Sequence, residues 1–350
     1  MKAAVYYGKK DVRIEERQKP VVAGPNQMVV KIDYVGICGT DIEFYSHGTC
    51  PFTNMVLGHE NVGTVTEIGE EVDNFAVGDK VICGAPSSCP EMCPPCQRGA
   101  SNLCINGYTR TPGIGGPDGG YAEYMLVADV PHATIIKVPE GMNLKDAVLF
   151  DVICVALHGI RISSFKFGDN VVVSGTGPIG IAAIQCLKAA GANKIIVLGT
   201  TSSKFPLLKK FGADYCINSK EVDDVGAEIR KILDSPVGAN IAFECAGNMK
   251  SLTNLIYKCV EPGAQVMVLG SIQEPMNIIP ASFSIFETDI KHSFIYTPSE
   301  VKIFLQMANA GKLNYDGMVT DIVSLDDCVS RGLGREDRHG QIKILIDPSL

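Results

Sequence analysis

Gly175-Thr176-Gly177-Pro178-Ile179-Gly180 stands between an apolar run, Asn170–Ser174 (NVVVS), and a segment of helical character over 179–190. No other feature restricts the fold as much. A G-x-G-x-x-G turn linking a strand to a helix brings backbone N–H groups and a helix N-terminus against a pyrophosphate, and its glycines permit the tight turn and the close approach. Such a turn belongs to a βαβ unit, so the sequence around it must supply parallel strands. It does: KIIVL over 194–198 reads as a second strand, 203–211 as a helix, and GADYCIN contains a third strand. Runs at 241–245 and 265–269 read as further strands, each ending near a glycine. All-apolar strands suit a parallel sheet covered on both faces, and the strand–helix–strand order implies right-handed crossovers. The fold class is α/β, with a doubly wound sheet domain over 152–290.

The remainder follows a different pattern. Short β-branched runs at 28–35, 61–68 and 80–82 alternate with Gly and Pro turns, as in a β-rich domain. The stretch 85–120 is dense in Cys, Pro and Gly and reads as an irregular excursion. A mixed pattern returns after Lys291, so 1–151 and 291–350 are expected to form one β-rich domain built from both ends of the chain. Two domains of ordinary size account for 350 residues. At 46% hydrophobic and 20% charged the composition is that of a packed chain, not a disordered one. A net charge of -8 without a polybasic run excludes a nucleic-acid partner. No run approaches the roughly 18 to 20 apolar residues of a membrane span. The opening MKAAVYYGKKDVRIEE turns charged at once, unlike a secretory signal. Thirteen Cys, an odd number without an export signal, point to a reducing, cytoplasmic setting in which clustered thiols bind metal.

One such cluster is Cys89-x3-Cys93-x2-Cys96-x7-Cys104, four thiolates suited to a closed tetrahedral zinc that pins its lobe. A second set is Cys38-Gly39-Thr40-Asp41 with Gly58-His59-Glu60, since Cys and His are good zinc ligands and a catalytic zinc keeps one position open. Asp41 is suited to accept the other ring N–H of His59. Cys50, Cys83 and the later cysteines lack such spacing and read as core or incidental. The expected content is about two zinc ions per chain. After the second strand of the sheet domain, Gly199 stands where an NAD enzyme carries an acid for the ribose 2′-hydroxyl. The hydroxyls of Thr200 and Thr201 and the ammonium of Lys204 are instead suited to a 2′-phosphate, which predicts NADP preference over NAD.

Together these pieces resemble the zinc-dependent medium-chain alcohol dehydrogenase family over essentially the whole chain. The segments that carry the resemblance are ICGTDI, GHENVGTVTEIGEEVDNFAVGDKV, the four-Cys lobe, GGYAEY, GTGPIG and GQIKIL. The resemblance implies a GroES-like catalytic domain interrupted by an inserted Rossmann domain. It also implies that Asp151, as in the bacterial secondary-alcohol branch, completes a zinc site with Cys38 and His59, with Glu60 as an exchanging ligand and Cys154 as a weaker candidate than Asp151. Lys343, Leu269 and Gly270 are implied as cofactor contacts, and a homo-oligomer, tetramer or dimer, is implied by analogy. Three departures stand out, one being the four-Cys lobe itself, which the secondary-alcohol enzymes often lack. The first Cys gap is three residues where two is usual, and Ile295 takes the place of the Arg found in sorbitol-type polyol enzymes.

The expected activity is hydride transfer between NADP(H) and a secondary alcohol or ketone. Zinc would act as a Lewis acid, and by resemblance the Thr40 hydroxyl would carry the proton away, with His47 or His158 as relays. The nearest alternative is an NAD-linked polyol or amino-alcohol dehydrogenase of the same fold, kept in view by Glu43, Tyr45 and His47. A zinc-free quinone reductase is disfavoured because Cys38, His59 and Asp151 are all present. A non-catalytic nucleotide-binding protein is the alternative from another class.

Overall fold

The computed structural model describes residues 1–85, 88–276, 279–337 and 340–350, so Pro86 and Ser87 of the Cys-rich excursion lie outside the described residues. The first strands are β1 (Lys2–Gly8), β2 (Asp11–Glu16), β3 (Met28–Gly36), β4 (Met55–Val56), β5 (Glu60–Ile68), β6 (Lys80–Gly84), β7 (Tyr124–Val127) and β8 (Thr134–Lys137). They are followed by β9 (Asn170–Ser174), β10 (Lys194–Gly199), β11 (Tyr215–Asn218), β12 (Ala239–Glu244), β13 (Val260–Val268), β14 (Asp289–His292), β15 (Val319–Val323) and β16 (Lys343–Ile346). The chain divides into two units. One comprises Met1–Asp151, Thr297–Leu305 and Tyr315–Leu350, and the other Val152–Tyr296 and Gln306–Asn314.

In the second unit a parallel sheet runs in the order β11-β10-β9-β12-β13-β14. The strand order reverses at β9, and the Gly175 turn leaves its carboxyl end. That is the switch point at which open α/β sheets bind ligands. The reason for the sheet is visible in its burial: Val172, Ile196, Leu198, Ala242, Val266 and Val268 pack with Ile229, Leu252 and Leu255 from the covering helices. Helix Pro178–Ala189 is buried without a break from Gly180 to Leu187, a stretch that is apolar but for Gln185.

The helix expected over 203–211 is a 3-10 turn, Ser202–Lys204, followed by helix Phe205–Lys210, where Pro206 is accommodated in the first turn. The expected boundary after residue 290 falls inside β14, which pairs with β13 in continuous register. DIKH has no apolar alternation because this strand is at the sheet edge and mostly exposed.

In the first unit β2-β1-β4 form a small sheet, while β15-β16-β3-β5-β6-β8, with β7 also on β3, form a larger one. Tyr6, Met28, Ile32, Val35, Leu57, Val65, Tyr121 and Met125 fill the core. Strand β16 pairs antiparallel with β3, Leu345 opposite Gly36, and Ile37 N donates to Ile344 O at 3.0 Å. The C-terminal strand thereby delivers Lys343 to the end of β3, where Cys38 begins.

Candidate functional site

Cys38 precedes helix Gly39–His47, and its backbone N–H donates to Asp41 Oδ2 at 2.9 Å. Asp41 is fully buried, and the same oxygen also accepts from Tyr121 Oη at 2.9 Å. Its second oxygen lies 3.6 Å from His59 Nδ1, an ion-pair separation longer than a hydrogen bond. Gly58, at φ 96°, turns the chain into β5, and a Cβ there would lie 2.8 Å from Tyr121 Cε1. This glycine therefore lets the chain pass close to the Tyr121 ring just before His59. One donor atom each from Cys38, His59 and Glu60 falls within a mutual 4.8 Å.

Asp151, in the first turn of helix Phe150–Ile162, is buried and stands outside that trio, but its charge acts on both His59 and Lys343. Cys154 is buried further along the same helix. Lys343 is buried and ion-paired with the Glu60 carboxylate. Gly36 makes room for that pair, since a Cβ there would lie 2.9 Å from Lys343 Cε. Burial by itself would lower the His59 pKa, but Asp41, Cys38 and Asp151 outweigh it and hold the imidazole up at about 10. The Lys343 ammonium is raised in the same way, with Glu60, Cys38 and Asp151 overcoming its burial.

The cluster thus sets the carboxylates of Asp41, Glu60 and Asp151 against the cationic His59 and Lys343, and its Cys, His and carboxylate donors are those zinc takes. His59 Nδ1 and Asp41 Oδ1 are buried without a hydrogen-bond partner among the described residues, facing each other at ion-pair distance. The donor set fits a divalent cation. The Cys38 thiol donates to Thr40 Oγ1 at 3.7 Å. His47 is exposed, 3.8 Å from Glu43, whereas His158 is buried.

The four lobe cysteines are all buried, with Sγ separations of 3.6 Å (Cys93–Cys96), 3.8 Å (Cys93–Cys104) and 4.0 Å (Cys89–Cys96). Four sulfurs at the usual zinc–sulfur length of about 2.3 Å sit about 3.8 Å apart in a tetrahedron. These three separations are close to those of a tetrahedral zinc site, and the four thiols form a group that could hold a metal ion. The extra residue in the first gap is absorbed by a turn in which Met92 N donates to Cys89 O at 2.9 Å and Met92 takes φ 47°. The backbone N–H groups of Cys96 and Ile105 pull the Cys93 thiol down to about 6, favouring a thiolate there.

In the second unit Gly175 adopts φ 127°, and a Cβ on it would lie 2.7 Å from the Cys245 carbonyl carbon. Gly177 caps helix Pro178–Ala189, and nothing stands within 4 Å of where its Cβ would be. The loop thus leaves open space in front of Gly177, where a pyrophosphate would approach Thr176, Pro178 and Ile179 at the helix start. Gly180 packs tightly against Gly175, and a Cβ on Gly199 would touch Thr176 Cγ2 at 2.5 Å. Thr200 is exposed, while Thr201 and Lys204 are half-buried. The backbone N–H groups of Leu269 and Gly270 donate to Glu244 O at 2.9 and 3.0 Å.

Sequence reasoning missed three features. The Glu60–Lys343 pair and the Tyr121–Asp41 bond join segments far apart in the chain. Beyond β10, Asn218 Nδ2 donates to Ser202 Oγ and to Glu221 Oε1, both at 2.7 Å, which places an acid beside a turn that has none in its own sequence.

Residues 24–140 match the family model of the alcohol dehydrogenase GroES-like domain, and 178–310 that of zinc-binding dehydrogenases. The chain is 32% identical to the (R,R)-butanediol dehydrogenase of Bacillus subtilis, covering 100% of both chains. It is 28% identical to the D-xylulose reductase A of Aspergillus niger over 90% of this chain and 88% of that one. Among solved structures it is similar to a protein from Sinorhizobium meliloti, named only by class as a zinc-binding dehydrogenase and bound to NADP, with a TM-score of 0.89, 28% identity and 99% of each chain covered.

Proposed function

The chain belongs to the zinc-dependent medium-chain alcohol dehydrogenase family, and we propose that within it the protein interconverts a secondary alcohol and its ketone with NADP(H). The observation that carries this reading is the gathering of Cys38, His59 and Glu60 donors with the Thr40 hydroxyl on the Cys38 thiol. In this reading Cys38, His59 and Asp151 hold the zinc, and Glu60 is the carboxylate able to exchange into its shell. When bound, zinc would supply Lewis acidity toward the substrate oxygen and the nicotinamide would supply the hydride exchange. The chain's own part is to place and protect. Asp41 orients the His59 ring, Lys343 balances the Glu60 charge, and the Thr40 hydroxyl takes the substrate proton and passes it on. Thr40→Ala should lower kcat at least about 100-fold with zinc content unchanged; unchanged turnover removes Thr40 from the mechanism.

NADP preference is supported by Gly199, by the hydroxyls of Thr200 and Thr201, by Lys204, and by the NADP bound to the Sinorhizobium relative. Secondary-alcohol chemistry is supported by the butanediol dehydrogenase relative. A second reading, an NAD-linked polyol dehydrogenase, is favoured by the xylulose reductase relative. A turnover panel of secondary alcohols, vicinal diols, polyols and amino alcohols, each with NADP and NAD, separates them. Activity confined to a polyol with NAD would overturn the first. Two groups able to hold a metal ion, the four-Cys lobe and the Cys38 cluster, support two zinc ions per chain, and thirteen cysteines, none of them in a disulfide, support a reducing, cytoplasmic setting. Self-association is supported by the exposed edge strand β14 with Ile285 and Phe294 exposed nearby in sequence. A monomer mass in sedimentation would overturn it.

A further inference from the structure

We propose that Glu221 is a specificity-determining residue that limits how strongly this chain favours NADP(H) over NAD(H). The proposal rests on the reading of the chain as a nicotinamide-dependent dehydrogenase. Strands β10 and β11 are parallel neighbours with Gly199 opposite Asn218, so the segments leaving their carboxyl ends start side by side. Ser219 N continues the ladder by donating to Gly199 O at 2.8 Å. The Asn218 amide is fixed in orientation, because its Oδ1 already accepts from Lys220 N at 3.0 Å. Its Nδ2 must therefore face acceptors, and it meets Ser202 Oγ and Glu221 Oε1. The Ser202 hydroxyl in turn donates to Glu221 Oε1 at 3.3 Å.

The consequences follow from charge and donor count. The end of β10 receives the 2′ position of the adenosine ribose in this fold. The turn after it has no acid of its own, yet the fold brings one in from beyond β11. Ser202 has committed its proton to Glu221, so it is not a free donor for a phosphate. A 2′-phosphate arriving at this turn meets a carboxylate as well as Lys204, whereas a 2′-hydroxyl meets an acceptor it can donate to. Repulsion of the phosphate weakens NADP(H) relative to NAD(H) and is partly screened by salt.

The test measures NADPH and NADH dissociation constants by fluorescence, at low and high salt, for wild type, Glu221→Gln and Glu221→Lys. Gln keeps an acceptor for Asn218 and Ser202 and removes only the charge. The expected result is that NADPH tightens about tenfold relative to NADH in Glu221→Gln at low ionic strength, further in Glu221→Lys, with the gap narrowing in salt. A purely structural role would move both affinities together and leave their ratio fixed. An unchanged ratio in both variants, or a shift toward NADH, overturns the proposal and leaves the dehydrogenase reading intact. Failure of the wild type to bind either cofactor overturns both.

Discussion

Replacing Lys343 with Met removes one half of an ion pair that has no access to water. Lys343 is 2% exposed and Glu60 is 0% exposed, and Gly36 is held free of a side chain by the space they occupy. Removing one partner of such a pair leaves the other charge uncompensated in a poorly solvating interior, a loss of about 3–5 kcal/mol. For a unit of this size each kcal/mol moves the melting temperature by about 2–4 °C, so Lys343→Met should melt about 10 °C below wild type. Glu60→Gln leaves the ammonium stranded and should lose a comparable amount. The double variant has no stranded charge and should be more stable than the sum of the two losses predicts, by at least about 2 kcal/mol of coupling. The Lys343 pKa is raised above its ordinary value of 10.5, so its contribution is complete below that pH and disappears only as pH rises through the raised native value. The deficit of Lys343→Met should therefore be flat across neutral pH. Denaturant unfolding of all four proteins, zinc-loaded and after chelation, provides the cycle. Single losses under about 1 kcal/mol that simply add would refute the reasoning, because they would mean that the pair is solvated.

Other perturbations separate the remaining parts. Cys104→Ser should lower zinc from about two to about one per chain by elemental analysis, and retention of both ions would sink the lobe assignment. Gly177→Ala should change stability by less than about 1 kcal/mol, because its Cβ meets nothing within 4 Å, while nucleotide affinity falls about tenfold or more as the methyl enters the phosphate approach. Gly175→Ala, at φ 127°, should instead destabilise the fold itself. Asp129 hydrogen-bonds His132 at 3.0 Å and pairs with Arg110, and these partners outweigh its burial to hold its carboxyl below 3.8. Its stabilisation is therefore present above pH 3.8 and lost as pH falls through the depressed native value. The stability gap between wild type and Asp129→Asn should be full at neutral pH and close in acid, and a gap that persists at pH 2 would contradict it.

How much of this was legible beforehand depended on whether the physical constraint was local. The Gly175 turn announces itself because three backbone demands, a positive φ, a close ligand approach and a tight strand–helix contact, fall within six consecutive residues. The four-Cys lobe is also local, and its irregular first gap is harmless because a single left-handed residue, Met92, absorbs it. β14 was invisible because an exposed edge strand needs no apolar alternation, only a neighbour's hydrogen bonds. The same limit reaches the sites. Lys343, which the resemblance implies as a cofactor contact, has its ammonium paired with Glu60, because the register of β16 on β3 and of β3 on β5 brings the two strand ends together. The missing acid at Gly199 is a property of one stretch of chain. A parallel sheet, however, sets the ends of sequence-distant strands side by side, so a residue absent after β10 is supplied after β11. On the proposal that Glu221 limits the preference for NADP(H), that charge belongs to a place in the fold and not to a position in the sequence. Glu221 beside Ser202 is the residue by which that distinction can be measured.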